Sequence, residues 1–211
     1  MYFIGQLLDP SQWDYSRNTF NISGPQLLFN IADKNEITQK DVDNAYKLLD
    51  YYVGTVDDIN EENQEGMFKM FTDASFLFGI HNGIRYLLKH GVTVYQYVLT
   101  YQGEYSFLNL YNIPTMGVCH ADDLIYIFDP VFGNRPLNDD DEFVRHLMTS
   151  AWTNFAKYGD PTPPDSSFEW TPRPFENVHH YFNISGRDSA MATSEEIEER
   201  MTLWDQVLEK N

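Results

Sequence analysis

One short segment of the chain combines residue types that can carry out acid–base chemistry. It reads GVCHADDLIYIF, residues 117–128, and places His120 after a Gly-Val-Cys turn and before Asp122 and Asp123. An imidazole changes its charge near neutral pH, and a carboxylate can orient it and stabilise its cation. On the residues alone, two interpretations are open: a general base on a loop, or a buried, hydrogen-bonded histidine at the start of a strand.

The segments around His120 predict strands that would position it. The run VTVYQYVLTY, Val92–Tyr101, is rich in β-branched and aromatic residues and predicts a buried strand. Leu124–Phe128 predicts a second strand directly after the histidine, and His180–Ile184 predicts a short third one. His120 would then lie on a loop at a strand entrance, and loops commonly carry functional residues.

Helical periodicity and capping residues mark four further segments. They are a helix that begins at an N-cap Thr38, a long apolar helix from Glu65 to about His90, a helix from Asp139 to Lys157, and a helix from Thr193 to Glu209 with Thr193 and Glu196 as its capping box. Helices that alternate with apolar strands predict the α/β class. Because an open sheet usually holds about 4–6 strands, we expect the chain to be part of a larger sheet.

Charge and composition argue against several classes of partner. The chain has 32 acidic and 14 basic residues, a formal charge of -18, and no basic cluster, so nucleic acid is not expected as a partner. It has no run of 18 apolar residues, so no transmembrane segment is expected. Sequons at Asn21 and Asn183 predict glycosylation in a secreted or endoplasmic-reticulum location, although the first residues do not have the pattern of a signal peptide.

Several segments together form a recognisable series. In chain order they read TDASFLFGIHNGIRYL, VYQYVLTYQGEYS, GVCHADDLIYIF and WTNFAKYGDPTPP. They resemble the Asp-x-x-Phe helix, the penultimate strand, the histidine loop and the Trp-x-Asn-Phe-Ala-x-x-Gly-x-Pro segment of the type-B carboxylesterase and cholinesterase family. The resemblance covers the whole chain and implies one domain, residues 1–211, that forms the C-terminal part of an α/β-hydrolase fold.

The resemblance also implies a chemistry. In this family His120 would be the general base of a serine esterase that hydrolyses small carboxylic esters without a cofactor or metal. The family order is Ser, acid, His, and the 211 residues contain neither a Gly-x-Ser-x-Gly elbow nor a His-Gly-Gly-Gly loop. We therefore expect those parts and the acid upstream, and expect this chain to be inactive alone. The alternative is a non-catalytic, cholinesterase-like adhesion or ligand-binding module.

Other polar residues are candidates for supporting roles. Asp122 and Asp123 would fix the histidine loop locally, and Asp123 is the stronger candidate because the family commonly has an acid there. Asp73 also precedes His120, but the family places its triad acid elsewhere, so we interpret Asp73 as a helix-start or buried hydrogen-bonding residue. Cys119 is interpreted as packing. Structural roles are also expected for the five remaining histidines, which are His81, His90, His146, His179 and His180.

The terminal helix, Thr193 to Glu209, has an apolar stripe whose partner the sequence leaves open. Its residues are Ile197, Met201, Trp204 and Leu208. Most such stripes cover the core of their own domain. The resemblance implies a second arrangement, because cholinesterase-like proteins use the corresponding helix in a four-helix contact between two subunits. A homodimer through this helix is therefore one expectation of the sequence.

Overall fold

The computed structural model describes residues 10–111, 117–128, 136–162, 166, 168–175 and 179–208. The chain divides into two compact units, residues 1–86 with 199–211 and residues 87–198. The single domain expected over residues 1–211 stays a prediction. Within the described ranges, no helix has both the length and the apolar character needed to cross a membrane.

The described residues form helices and a small mixed sheet. The α-helices are α1 (Trp13–Phe29), α2 (Gln39–Tyr52), α3 (Gln64–Thr72), α4 (Phe78–Lys89), α5 (Leu124–Ile127), α6 (Asp139–Tyr158) and α7 (Glu195–Leu208). The strands are β1 (Tyr97–Leu99), β2 (His179–Ile184) and β3 (Ala190–Ser194), and a π-helical segment, Asp73–Leu77, lies between α3 and α4. Short 3-10 helices cover Pro10–Gln12, Lys34–Glu36, Val56–Asp58 and Phe107–Tyr111.

Local capping explains why α2 and α6 form where the sequence predicts them. Thr38 accepts a hydrogen bond from the Asp41 N–H at 3.3 Å, and its own N–H donates to the Asp41 carboxylate at 2.8 Å, which completes a capping box. Asn138 caps α6, which ends before Gly159 in the left-handed conformation, φ 73°.

The long helix predicted from Glu65 to His90 is confirmed as the continuous run α3, Asp73–Leu77 and α4. Its apolar residues do not all lie inside. Phe76, Ile80 and Leu87 are 43%, 51% and 41% exposed. Because they are spaced at four and seven residues, they lie on one side of the helix. This face is an apolar surface that the described residues leave open to solvent.

A buried polar network holds the first unit together. The carboxylate of Asp73 is completely buried and accepts hydrogen bonds from the Arg200 Nε at 2.7 Å and from the Tyr52 hydroxyl at 2.5 Å. Trp204 donates its indole N–H to the same hydroxyl at 2.9 Å. Burial and the hydrogen bond to Asp73 raise the pKa of Tyr52, so this hydroxyl stays protonated and donates. The network connects α2 and the π-helical segment to α7.

The terminal helix begins later than the sequence predicts. Thr193 belongs to β3, and Ser194 is the cap because its hydroxyl accepts the Ile197 N–H at 3.2 Å. The Thr193–Glu196 capping box is therefore wrong by one residue, and Glu209 lies outside the described residues. Met201 and Trp204 of the apolar stripe are 0% and 1% exposed, so these two side chains pack within the chain itself.

The second unit is built around a three-stranded sheet of order β1-β2-β3. β1 runs parallel to β2 with Tyr97 opposite Phe182, and β2 runs antiparallel to β3. The predicted strand Val92–Tyr101 is confirmed only at Tyr97–Leu99, and β3 was not predicted. The ring of Trp170 stacks on that of Phe182 with centroids 5.0 Å apart, and helix α6 contributes Val144, Leu147, Met148 and Ala151 to this core.

The strand predicted at Leu124–Phe128 is wrong. Leu124–Ile127 is a single helical turn, α5, whose Tyr126 is 2% exposed and belongs to the core of the second unit. A short apolar run fits a buried helix as well as a strand, so packing rather than propensity decides. A side chain at Gly103 would place its Cβ 2.1 Å from the Tyr126 hydroxyl oxygen, which explains the glycine there.

We predict that Asp73 carries much of the stability of the first unit. Asp73→Ala leaves the buried Arg200 without its partner carboxylate and should lower the free energy of unfolding by about 3–5 kcal/mol. Adding Arg200→Met should recover part of this loss. Urea unfolding followed by circular dichroism measures both effects.

The chain contains a matched control for this experiment. Arg85 of α4 pairs with Asp205 of α7 at 2.6 Å, but their side chains are 54% and 37% exposed. Arg85→Ala should therefore cost no more than about 1 kcal/mol. Equal losses for Asp73→Ala and Arg85→Ala would contradict the importance given to the buried pair.

We predict that the isolated chain binds apolar dyes through the open face of Phe76, Ile80 and Leu87, and that its soluble yield is low. Ile80→Lys with Leu87→Lys should reduce dye fluorescence and raise the yield with little change in melting temperature. Tyr15→Lys, at an exposed aromatic residue on α1, is the control and should leave dye binding unchanged. A wild-type chain that unfolds cooperatively without binding dye would contradict the prediction.

Candidate active site

His120 lies in a tight turn rather than at a strand entrance. The Asp122 N–H donates to the Cys119 carbonyl at 3.1 Å, which closes a four-residue turn with His120 and Ala121 at its centre. Ala121 has φ 75°, a left-handed conformation that residues other than glycine rarely adopt. The His120 side chain is exposed. The turn therefore presents the imidazole outward from the second unit.

Asp122 is buried beneath this turn and contacts two separate stretches of backbone. One carboxylate oxygen accepts the Cys119 N–H at 2.8 Å. The other accepts the Phe107 N–H at 2.8 Å and the Ser106 hydroxyl at 3.1 Å. Only 5% of Asp122 is exposed, and 2% of Ser106. The carboxylate thus ties the histidine turn to the segment that precedes it by about 15 residues.

Asp123 connects the same turn to the sheet. Its carboxylate accepts the Tyr97 hydroxyl of β1 at 2.8 Å. Burial and this hydrogen bond raise the pKa of Tyr97, which keeps the phenol a donor. Asp123 therefore holds the turn through a contact 26 residues upstream. Its expected role in supporting a reaction stays a prediction.

Asp73, the other candidate for a supporting residue, lies in the first unit. Its carboxylate is bound by Arg200 and Tyr52, which agrees with the interpretation of a buried hydrogen-bonding residue. A supporting role in catalysis stays a prediction for Asp73.

The remaining histidines have the structural surroundings expected of them. His81 and His179 are 4% and 0% exposed, whereas His90 and His146 lie on the surface. His179 is 3.6 Å from the Glu198 carboxylate, and His180 lies 2.8 Å from the Thr171 hydroxyl. In the described ranges, no cluster of three or more His, Cys, Asp or Glu side chains could hold a metal ion.

The two sequons have different surroundings. Asn21 is exposed on α1. Asn183 lies on β2, the middle strand of the sheet, where its side-chain oxygen accepts the Thr100 hydroxyl at 2.7 Å. Glycans are usually attached at surface loops, so the surroundings of Asn21 suit a glycan better than those of Asn183. Glycosylation at either residue stays a prediction.

Sequence reasoning missed the partners of the turn. Tyr97, Ser106 and the Phe107 N–H all lie 15 or more residues upstream of the carboxylates that they contact. Two of the three groups on Asp122 are backbone N–H donors, which any residue type supplies. No spacing rule in the sequence could therefore have identified them.

The fold is that of an α/β-hydrolase in part. The structure superimposes on juvenile hormone esterase from Manduca sexta, solved with OTFP covalently attached, with a TM-score of 0.69 and 22% identity over 96% of this chain and 38% of that one. Residues 9–204 match the carboxylesterase family. The chain belongs to that family.

Curated relatives resemble the chain over part of their length. It is 33% identical to the juvenile hormone esterase of Tribolium castaneum over 149 residues, which are 63% of this chain and 25% of that protein. It is 43% identical to human bile salt-activated lipase over 68 residues, which are 29% of this chain and 9% of the lipase. The chain therefore spans about a quarter or less of the length of these relatives.

We predict that the thiol of Cys119 reacts slowly at neutral pH. Burial raises the pKa of this thiol, and the negative charge of Asp122 raises it further, so less thiolate is present at a given pH. Cys119 is the one cysteine of the chain, so alkylation by iodoacetamide reports this thiol alone. The alkylation rate should rise with pH in both states. The pH at the midpoint of this rise should be higher for the folded chain than for the urea-unfolded chain. A folded midpoint at or below the unfolded one would contradict the prediction.

Proposed function

We propose that this chain supplies the general base, His120, of a serine carboxylesterase whose nucleophile, acid and oxyanion loop lie in an upstream part of a longer protein. Membership of the carboxylesterase family over residues 9–204 supports the proposal. The observation that carries it is the exposed imidazole of His120 on a turn held by two carboxylates. The proposed substrates are small carboxylic esters.

The proposed mechanism uses His120 twice in each half of the reaction. As the serine oxygen bonds to the acyl carbon, its proton moves to the imidazole, and the imidazolium then gives that proton to the leaving alcohol as the ester C–O bond breaks. Water then attacks the acyl carbon as its proton moves to His120, the bond from that carbon to the serine oxygen breaks, and His120 returns the proton to the serine oxygen as the carboxylic acid leaves. The reaction returns both groups to their starting state and needs no further reactant.

Assembly and location are further expectations for the longer protein. A homodimer through the helix predicted at Thr193 to Glu209 stays a prediction. Because Met201 and Trp204 are buried, such a dimer would have to use the exposed residues of α7. Those exposed residues include Glu195, Glu196 and Glu199, so two such faces would repel each other. We also propose a secreted or endoplasmic-reticulum location, which the exposed sequon at Asn21 supports.

We predict that His120→Ala in the full-length protein lowers kcat for p-nitrophenyl butyrate by about 10²–10⁴-fold, because proton transfer to and from the serine loses its base. His146→Ala, at an exposed histidine on α6, is the matched control and should retain wild-type turnover. The 211-residue chain alone should show no turnover.

Each result of this experiment separates the proposals. Turnover that survives His120→Ala would exclude His120 as the general base. Turnover by the 211-residue chain alone that depends on His120 would refute the need for an upstream part. An upstream sequence without a nucleophilic serine, together with absent turnover, would favour the non-catalytic binding module.

A further inference from the structure

The turn that presents His120 has an unfavourable backbone conformation at its centre. Ala121 has φ 75°, where a side chain is crowded by its own backbone and glycine is the usual residue. Conformations of this kind persist when surrounding contacts enforce them, and they are common at active sites. The surroundings of Ala121 must therefore supply an interaction that keeps the turn closed.

Asp122 supplies that interaction within the turn. Its N–H donates to the Cys119 carbonyl at 3.1 Å, and its carboxylate accepts the Cys119 N–H at 2.8 Å. Both hydrogen bonds join Cys119 to Asp122, the two residues that flank His120 and Ala121. The conformation of the turn is thus fixed at both ends by one residue.

The second carboxylate oxygen of Asp122 anchors the turn to the segment at Ser106. It accepts the Ser106 hydroxyl and the Phe107 N–H. Ser106 is itself held, because its N–H donates to the Asn109 side chain at 2.8 Å and its carbonyl accepts the Asn109 N–H at 3.0 Å. The anchoring segment therefore has hydrogen bonds of its own in addition to those to the histidine turn.

We propose that Asp122 is the positioning residue of His120, and that its carboxylate enforces the strained turn at Ala121 so that the imidazole is held for proton transfer. The proposal deepens the proposed esterase function and rests on it. Asp122 acts through the turn and touches neither substrate nor reacting atoms. The family resemblance favours Asp123 for the local role, but among the described residues the Asp122 carboxylate accepts three hydrogen bonds and the Asp123 carboxylate accepts one.

The decisive variant is Asp122→Asn in the full-length protein. The amide has the size of the carboxylate but offers one acceptor oxygen, so either the Cys119 N–H or the Ser106–Phe107 segment loses its partner. We expect kcat to fall at least tenfold with KM within twofold. Asp188→Asn, at an exposed aspartate of the second unit, should retain wild-type values.

A second substitution distinguishes positioning from general destabilisation. Ala121→Gly relieves the strain of the turn. The double variant Ala121→Gly with Asp122→Asn should therefore have a kcat at least threefold higher than Asp122→Asn alone, at a temperature where both variants are folded. If Asp122→Asn does not fold, Ser106→Ala removes one donor only and should lower kcat about threefold. Wild-type kcat in Asp122→Asn would overturn the proposal. If Ser106→Ala is measured instead, wild-type kcat in that variant would overturn it. The absence of recovery in the double variant would also overturn it.

A measurement on the 211-residue chain tests the same contact without any catalysis. Amide hydrogen exchange should accelerate at least tenfold in Asp122→Asn at Cys119 or at Phe107, whichever loses its acceptor, and should stay unchanged at both in Asp188→Asn. Unchanged exchange at both amides would overturn the proposal.

Turnover of His120→Ala is assayed in parallel in the full-length protein. Full turnover in His120→Ala would refute the proposed esterase function itself. Loss of turnover in His120→Ala together with wild-type turnover in Asp122→Asn would refute the positioning role alone.

Discussion

The buried ion pair between Asp73 and Arg200 is the interaction on which the first unit depends, because it joins residues 127 positions apart in the chain. Asp73 begins a π-helical segment, and such segments are uncommon and are often found at functional sites. Here the segment places the carboxylate where Arg200 and Tyr52 reach it together. A polar pair of this kind also restricts how α7 can pack, since an apolar side chain in place of Arg200 would leave Asp73 unbalanced.

Two of the buried carboxylates, those of Asp73 and Asp122, are held in different ways. Asp73 is balanced by a guanidinium, whereas Asp122 is held by a hydroxyl and two backbone N–H groups. The three donors to Asp122 are neutral, so they order the histidine turn without adding a positive charge of their own. In the proposed reaction the imidazole becomes a cation, and a guanidinium in place of these donors would disfavour that charged form.

Elements with local signals could be predicted from the sequence, and those that depend on distant contacts could not. The capping box of Thr38 and the left-handed Gly159 act within one turn of their helices, so α2 and α6 were predicted close to their true bounds. Leu124–Phe128 has the composition of a strand, but Tyr126 packs into the core from a helix. His120 could be proposed from its flanking motif, whereas the anchors of its turn on Tyr97, Ser106 and Phe107 lie 15 or more residues upstream and carry no spacing signal.

The division of the chain also determines the order in which it can fold. The second unit is one continuous stretch, residues 87–198, whereas the first needs residues 199–211 together with residues 1–86. During synthesis a chain emerges from its N-terminus, and domains usually complete themselves in that order. Here the earlier residues cannot bury Asp73 against its guanidinium until Arg200 has left the ribosome. Within this chain, residues 1–86 are therefore translated before the second unit but complete their own unit only after it.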